Sequence, residues 1–499
     1  MKNIIGIDYG THTTIAAKHD DAGTPVVISN QNGEQATLSN VYIDRDGSPL
    51  FGSEAFHLGI ADPARYVQDA KRSVGSDAPV LTVDQKSFTA EDVMSLVLQE
   101  IKRSTESSLG DTVDDVVISR PANWTAAQKE ELLQAARAAG LNAILLPPEP
   151  TAALFGMGVQ KQGDGIVVAI DVGGGTTDVS IAEVDGNSVA IRMTNGIAEL
   201  GGRDFNAVLL EWAMERFEQQ FGRQPDANQD AVFIQDLVQK IEHGKRMLSK
   251  KNETRIVLPY ENALFDVTAS RDQYQAMTAP LVERVMDCTK KTLDDAGINT
   301  ADVRAFFLIG AQTLDPAFSE ALEKHFDRKP WAKSDPIFAA AKGNVLLGQL
   351  ELEKDGYQVR SGTRVLPPLE MSARDITTHP IGVAALDEDK RLVQSVIIPK
   401  GTAIPSKRVE RFKLAEPGQT GAHVQLLEGT DGAPRGDCQP LGHFDLDGAE
   451  AVHDRDHIIE VEFRLDKNAM LTASARDPIN GATAEMTIDY RNQQANGAA

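Results

Sequence analysis

The chain has 499 residues, 41% of them hydrophobic and 25% charged, with a formal net charge of −23. That length predicts roughly two to four packing units and the composition is globular, while the acidity excludes general binding to nucleic acid or anionic membrane. No apolar run is long enough to cross a bilayer, and the two cysteines, Cys288 and Cys438, lack metal-ligand spacing; a cytoplasmic protein with reduced, buried thiols is expected.

The chain opens on an apolar strand, Ile4-Ile5-Gly6-Ile7, that delivers Asp8, Gly10, Thr11, His12 and Thr13. Glycine accepts positive φ and leaves room for successive backbone N–H groups to face a phosphate. A threonine hydroxyl adds a donor, and the leading carboxylate can hold Mg2+ directly or through water. Thr125 with Gln128 forms a helix-opening capping box, and Gly140 ends that helix. Val167–Ile170 then repeats the first strand and delivers Asp171, Gly173, Gly174, Gly175 and Thr176. One such turn reads equally as an ordinary hairpin, but two copies predict a duplicated domain gripping one polyphosphate from both sides.

Phe205, Val208, Leu209 and Trp212 mark an amphipathic helix beginning at Gly201-Gly202. Its first N–H groups suit an anion, and a glycine turn before a core helix suits the local pattern equally well. Glu242, Lys245, Arg246 and Ser249 fall on one helical stripe beside the apolar Leu237, Ile241 and Leu248, a pattern that also describes a solvated helix face. Pro367-Pro368 interrupts helix and ladder alike, so 354–374 reads as a linker. Alternating strands follow, with a hairpin turn at Asp466-Lys467-Asn468-Ala469 and a β-sandwich over 375–490. The polar tail 491–499 reads as disordered.

Gly6-Ile7-Asp8-Tyr9-Gly10-Thr11, Asp69-Ala70-Lys71-Arg72, Glu149-Pro150-Thr151-Ala152-Ala153, Asp171 to Thr176, and Leu200 to Phe205 together resemble the heat-shock protein 70 chaperone family of the actin-like ATPases, in order and spacing. The resemblance implies an α/β fold: an actin-like duplicated nucleotide-binding domain over 1–353, then the β-sandwich as a peptide-binding domain. It implies ATP or ADP with Mg2+ as cofactors. Asp8 and Asp171 would hold the metal shell, Lys71 and Glu149 would place the attacking water, and Thr176 would contact the γ-phosphate. Gly10, Thr11, His12, Thr13, Gly173, Gly174, Gly175, Gly201 and Gly202 would surround the phosphates. Glu242, Lys245, Arg246, Ser249, Gly310 and Ala311 would surround the nucleoside, and Leu386, Phe412, Ala422 and Val424 would line the peptide pocket.

Several positions depart from the pattern. His12 stands where threonine is usual, and Leu314 replaces a second arginine that would stack on the base, a loss on the order of 1 kcal/mol. The acidic loop Asp387-Glu388-Asp389-Lys390 rims the peptide site, and Leu145-Leu146-Pro147-Pro148 lacks the basic and amide residues offered to J-domain co-chaperones. The expectation is an ATP-dependent, lidless chaperone binding extended or unfolded polypeptide. A nucleotide-exchange factor is a candidate partner, a J-domain co-chaperone is doubtful, and no nucleic acid or membrane is involved. The alternative is a nucleotide-gated binding or scaffold protein with weak or lost ATPase activity.

Overall fold

The computed structural model describes residues 1–159, 163–227, 229–331, 335–453 and 456–487, so the tail 491–499 lies outside the described residues. The chain divides into two compact units, one of residues 1–123 with 131–373, the other of 124–130 with 374–499.

In the first unit, β1 (Ile5–Tyr9), β2 (Thr13–His19), β3 (Pro25–Val27), β4 (Asp115–Ser119) and β5 (Asn142–Leu145) form one sheet in the order β5-β4-β1-β2-β3. Strand β1 runs antiparallel to β2 and parallel to β4. Helix α1 (Glu149–Gly156) then leads to β6 (Gly165–Val172), β7 (Thr177–Asp185) and β8 (Ser188–Ile197). Helices α2 (Gly202–Phe221) and α3 (Ala231–Leu248), strand β9 (Val303–Ile309) and helix α4 (Ala339–Lys354) complete the part that builds the site. The second sheet runs β9-β6-β7-β8 through these strands, with β6 antiparallel to β7 and parallel to β9. β6 therefore stands to its neighbours as β1 does, and the internal repeat is a repeat of topology.

The local reasons are visible in burial. β6 is buried from Val167 to Val172, as an apolar run covered on both faces must be. Helix α2 buries Phe205, Leu209, Trp212, Ala213 and Phe217, a stripe at helical spacing. They join Leu237, Ile241 and Phe265 in one apolar cluster, where each large side chain contributes about 1.5–3 kcal/mol. The first sheet has its own cluster, with Ile4, Ile15, Val117, Val345 and Leu366. Helices α1 and α4 meet at glycines: a Cβ on Gly156 would lie 1.9 Å from the Ala339 carbonyl oxygen, and one on Gly343 would lie 1.7 Å from that of Ala152.

The division between units falls between Ala373 and Arg374, and most of the 354–374 stretch expected as a linker is packed on the first unit. Arg360–Ser361 pairs with Arg364–Val365, and Leu366 is 5% exposed. Gln349 Nε2 donates to the Pro367 carbonyl at 2.9 Å, and Glu353 accepts the Leu369 N–H at 3.1 Å. The prolines lack donors, but their carbonyls still accept, so the stretch docks through isolated bonds and not a ladder.

The second unit is a sandwich of two four-stranded antiparallel sheets. Its strands are β10 (Ile381–Leu386), β11 (Leu392–Ile398), β12 (Ser406–Lys413), β13 (Gly421–Glu428), β14 (Gln439–Asp447), β15 (Ile458–Leu465), β16 (Leu471–Arg476) and β17 (Thr483–Thr487). The sheets run β11-β10-β13-β14 and β12-β15-β16-β17, and Val383, Leu426, Phe463 and Ala473 lie in the core between them. The turn between β15 and β16 closes at Asp466–Ala469, where Asp466 donates its N–H to the Met470 carbonyl and Ala469 takes a positive φ of 58°.

Candidate functional site

The two glycine turns meet at a cleft of about 720 Å³ in the first unit, within the size range of small-molecule sites. They close with the same bond, Gly10 N–H to Thr13 O and Gly173 N–H to Thr176 O, each at 3.0 Å. They also touch: a Cβ on Gly174 would lie 3.0 Å from the Cβ of His12, and one on Gly175 would lie 2.6 Å from Thr11 Oγ1. The glycines of the two turns leave backbone facing an open space, with Thr11, Thr13 and Thr176 beside it, a cradle that suits phosphate oxygens.

Each turn follows its strand's aspartate. Asp8 lies opposite Ser119 of β4 in the parallel register, and Ser119 Oγ donates to its carboxylate at 3.2 Å. Asp171 lies opposite Asp178 of β7 in the antiparallel register, and the Ala122 N–H donates to Asp178 Oδ1 at 2.9 Å. Glu149 opens helix α1, its N–H bonded to the Arg120 carbonyl at 2.7 Å. Lys71 projects from the short helical turn Ala70–Ser73. Its ammonium donates to Glu149 Oε1 and to the Tyr9 carbonyl, both at 2.5 Å, and Lys71 is only 5% exposed.

Four carboxylates therefore gather around one lysine, and the electrostatics follow. Burial, then repulsion from Glu149, pushes Asp8 and Asp178 each up to about 7. Burial and the charges of Glu149, Asp178 and Asp8 push Asp171 well above the usual carboxylate range. A site that resists its own negative charge fits a divalent cation. Among the described residues no three His, Cys, Asp or Glu side chains enclose a bare ion, so Mg2+ held at Asp8 and Asp171 would complete its shell with water and phosphate oxygens.

The far side of the cleft is helix α3. Glu242, Lys245, Arg246 and Ser249 all line the cleft, with Gly310, Ala311 and Leu314 on another wall. Lys245 donates to the Gly202 carbonyl at 2.7 Å, and burial pulls its pKa to about 8. Gly310 has a φ of 81°, and a Cβ there would lie 2.6 Å from Asp171 Oδ1, which explains glycine at that position.

Of the residues singled out from sequence, Asp8, Gly10, Thr11, His12, Thr13, Lys71, Glu149, Asp171, Gly173, Gly174, Thr176 and Gly202 line this one cleft as well. Gly175 and Gly201 are not among its lining. They pack on each other, a Cβ on Gly201 falling 2.5 Å from the Gly175 nitrogen. Nor does helix α2 offer free donors to an anion. Gly202 N–H is spent on the Gly173 carbonyl at 2.9 Å and Arg203 N–H on that of Gly174 at 2.8 Å, so the helix end braces the turn.

Sequence reasoning missed Asp178 and a pair of ion pairs across the cleft mouth. Asp178 could have been found: a four-residue turn closing Val172 against Thr177 must place residue 178 beside Asp171. The ion pairs, Arg72 with Asp204 and Asp69 with Arg203, had no local signal.

In the second unit the four residues expected to line a peptide pocket are not one exposed patch. Leu386 is 51% exposed at the end of β10, but Val424 is 6% exposed in the sandwich core. Phe412 and Ala422 are half-buried against that core, Phe412 from the opposite sheet. Strand alternation turns His423 outward and Val424 inward, so Val424 is corrected to a core residue.

A strand–glycine turn–strand unit used twice around one cleft, with a separate β-sandwich after it, defines an actin-like ATPase fold joined to a sandwich domain. A family model described as Hsp70 protein matches residues 76–498, and the chain belongs to the Hsp70 family. Members of that family are in general ATP-dependent chaperones: ATPases that bind ATP and ADP with Mg2+ and bind unfolded polypeptide.

Proposed function

We propose that this chain is an ATP-dependent chaperone, with nucleotide hydrolysed in the cleft of the first unit and extended polypeptide engaged by the sandwich. The observation that carries the reading is the Lys71–Glu149 pair at 2.5 Å beside Asp8 and Asp171, at the floor of a cleft walled by both glycine turns. The turns hold the phosphates through backbone N–H groups, and Thr11, Thr13 and Thr176 add hydroxyl donors. Lys71 donates to an attacking water while Glu149 accepts from it, which fixes one lone pair toward the γ-phosphate. When bound, Mg2+ would neutralise the charge on the β- and γ-phosphate oxygens. Arg246 would cover one face of the base, and Glu242 and Lys245 would bond the sugar.

The reducing cytoplasm suits Cys288 and Cys438, which form no disulfide with each other. At the sandwich, exposed Leu386 beside the acidic loop 387–390 favours apolar segments flanked by basic residues. A second reading, a nucleotide-gated binding protein with weak turnover, is favoured by Leu314, an apolar side chain 45% exposed on the cleft wall where the family resemblance would place an arginine. Steady-state ATP hydrolysis with and without an unfolded peptide separates the two. Peptide-stimulated turnover that Lys71→Ala removes, with nucleotide still bound, supports the chaperone. Tight ATP binding without turnover supports the gated binder, and turnover unchanged in Lys71→Ala rejects the site.

A further inference from the structure

His12 interrupts the threonines of the first phosphate turn, and its ring leaves the turn to meet helix α3. Its Nε2 lies 2.8 Å from Glu242 Oε1 and 3.1 Å from Arg246 Nη2. The two sides of this contact come from distant parts of the first unit's sequence, one from the β1–β2 turn and one from the helix that lines the nucleoside side of the cleft. The imidazole is 26% exposed and Glu242 only 17%, so the bond sits inside the cleft mouth and is shielded from solvent.

Glu242 is the group that makes this contact strong. Burial opposes its ionisation, yet the His12 hydrogen bond and the charges of His12, Arg246 and Lys245 hold it down to about 2. It is a carboxylate at any working pH, and a hydrogen bond to a charged acceptor is worth more than a neutral one. The base of the His12 side chain lies against the second turn, where a Cβ on Gly174 would fall 3.0 Å from the His12 Cβ, so glycine at 174 leaves His12 its place. Threonine at this position has neither the reach nor the ring nitrogen to bridge to α3.

We infer that His12 is a positioning residue that latches helix α3 to the first phosphate turn through Glu242 and so sets how long nucleotide stays in the cleft. The inference rests on nucleotide occupying this cleft. Bound nucleotide touches both the turn and α3, and it leaves only when those two walls separate; the His12–Glu242 bond must break for that separation. The latch therefore acts on release, through the position of α3.

Release of radiolabelled ADP chased by excess unlabelled ADP tests this in the full chain. His12→Ala is expected to release ADP roughly ten- to thirtyfold faster, the effect of one hydrogen bond to a charged group. His12→Gln, which keeps an N–H donor of similar reach, is expected to recover most of the slow release. In a Glu242→Ala background, removing His12 as well is expected to change the rate much less than in the parent, because only its 3.1 Å contact with Arg246 Nη2 is left. Equal effects of His12→Ala with and without Glu242, or no recovery by His12→Gln, would overturn the latch while leaving nucleotide binding intact. No bound ADP in the parent protein would instead overturn the nucleotide reading, and the latch with it.

Discussion

Replacing Lys71 with methionine removes the one ammonium among four carboxylates while keeping most of the side-chain volume. Lys71 and Glu149 have side chains only 4% and 11% exposed, so solvent cannot supply the missing charge. The nucleotide-free cluster responds by taking up one more proton. That costs about 1.4 kcal/mol for each pH unit between the solution and a carboxyl's ordinary pKa near 4, hence about 4 kcal/mol at pH 7 and about 1.4 kcal/mol at pH 5. The figure at pH 7 agrees with the roughly 3–5 kcal/mol lost when one partner of a buried ion pair is removed. The sign is fixed, because a carboxyl whose folded pKa is raised destabilises the fold increasingly as pH climbs above its unfolded value. Urea unfolding of the parent and Lys71→Met, followed through Trp212 in the first unit's core, should show a large loss at pH 7 that mostly closes at pH 5. An equal loss at both pH values, or less than about 1 kcal/mol at pH 7, would mean that Lys71 is not the counter-charge of this cluster.

Gly310→Ala should destabilise by about 2–4 kcal/mol in the same assay. A φ of 81° with ψ of 149° is a region essentially confined to glycine and costs an alanine about 1–3 kcal/mol, and the new methyl would meet the Val172 carbonyl oxygen at 2.4 Å; a loss under 1 kcal/mol would deny the close approach. Because Asp8 and Asp178 are pushed up to about 7 and a cation binds the ionised form, magnesium nucleotide should bind with proton release. Its affinity should rise with pH through the range near 7 in which Asp8 and Asp178 ionise. Calorimetry in buffers of different ionisation enthalpy measures the protons released, and a pH-independent affinity between 6 and 8 would contradict the shifted carboxylates.

The parts of this protein legible in its sequence are those whose signal is local. A strand that ends in aspartate, glycine and threonine announces its turn wherever it occurs, and two copies announced the duplicated fold. Thr125 with Gln128, the Phe205 stripe and the Asp466 turn were readable for the same reason, since each is completed within a few residues. The rest depends on register or on distance along the chain. Asp178 becomes part of the site only through antiparallel pairing with Asp171, and His12 finds Glu242 only after two lobes have folded. The expected donors at the start of α2 were spent on the turn before it, a competition no composition reveals. Val424 was assigned to a peptide pocket by resemblance, whereas strand alternation alone would have sent it inward.

The seam between helices α1 and α4 has a consequence for how motion could travel. With Gly156 against Ala339 and Gly343 against Ala152, the two backbones meet directly at these two points. One rod begins at Glu149. The other contacts the first strand, where Asn344 Nδ2 donates to the Ile7 carbonyl at 2.8 Å, and its later turns hold Pro367 and Leu369. The exit stretch is thus tied to a helix that packs directly on the one opened by Glu149, and a bulkier residue at either glycine would wedge the rods apart at the point where they register with each other.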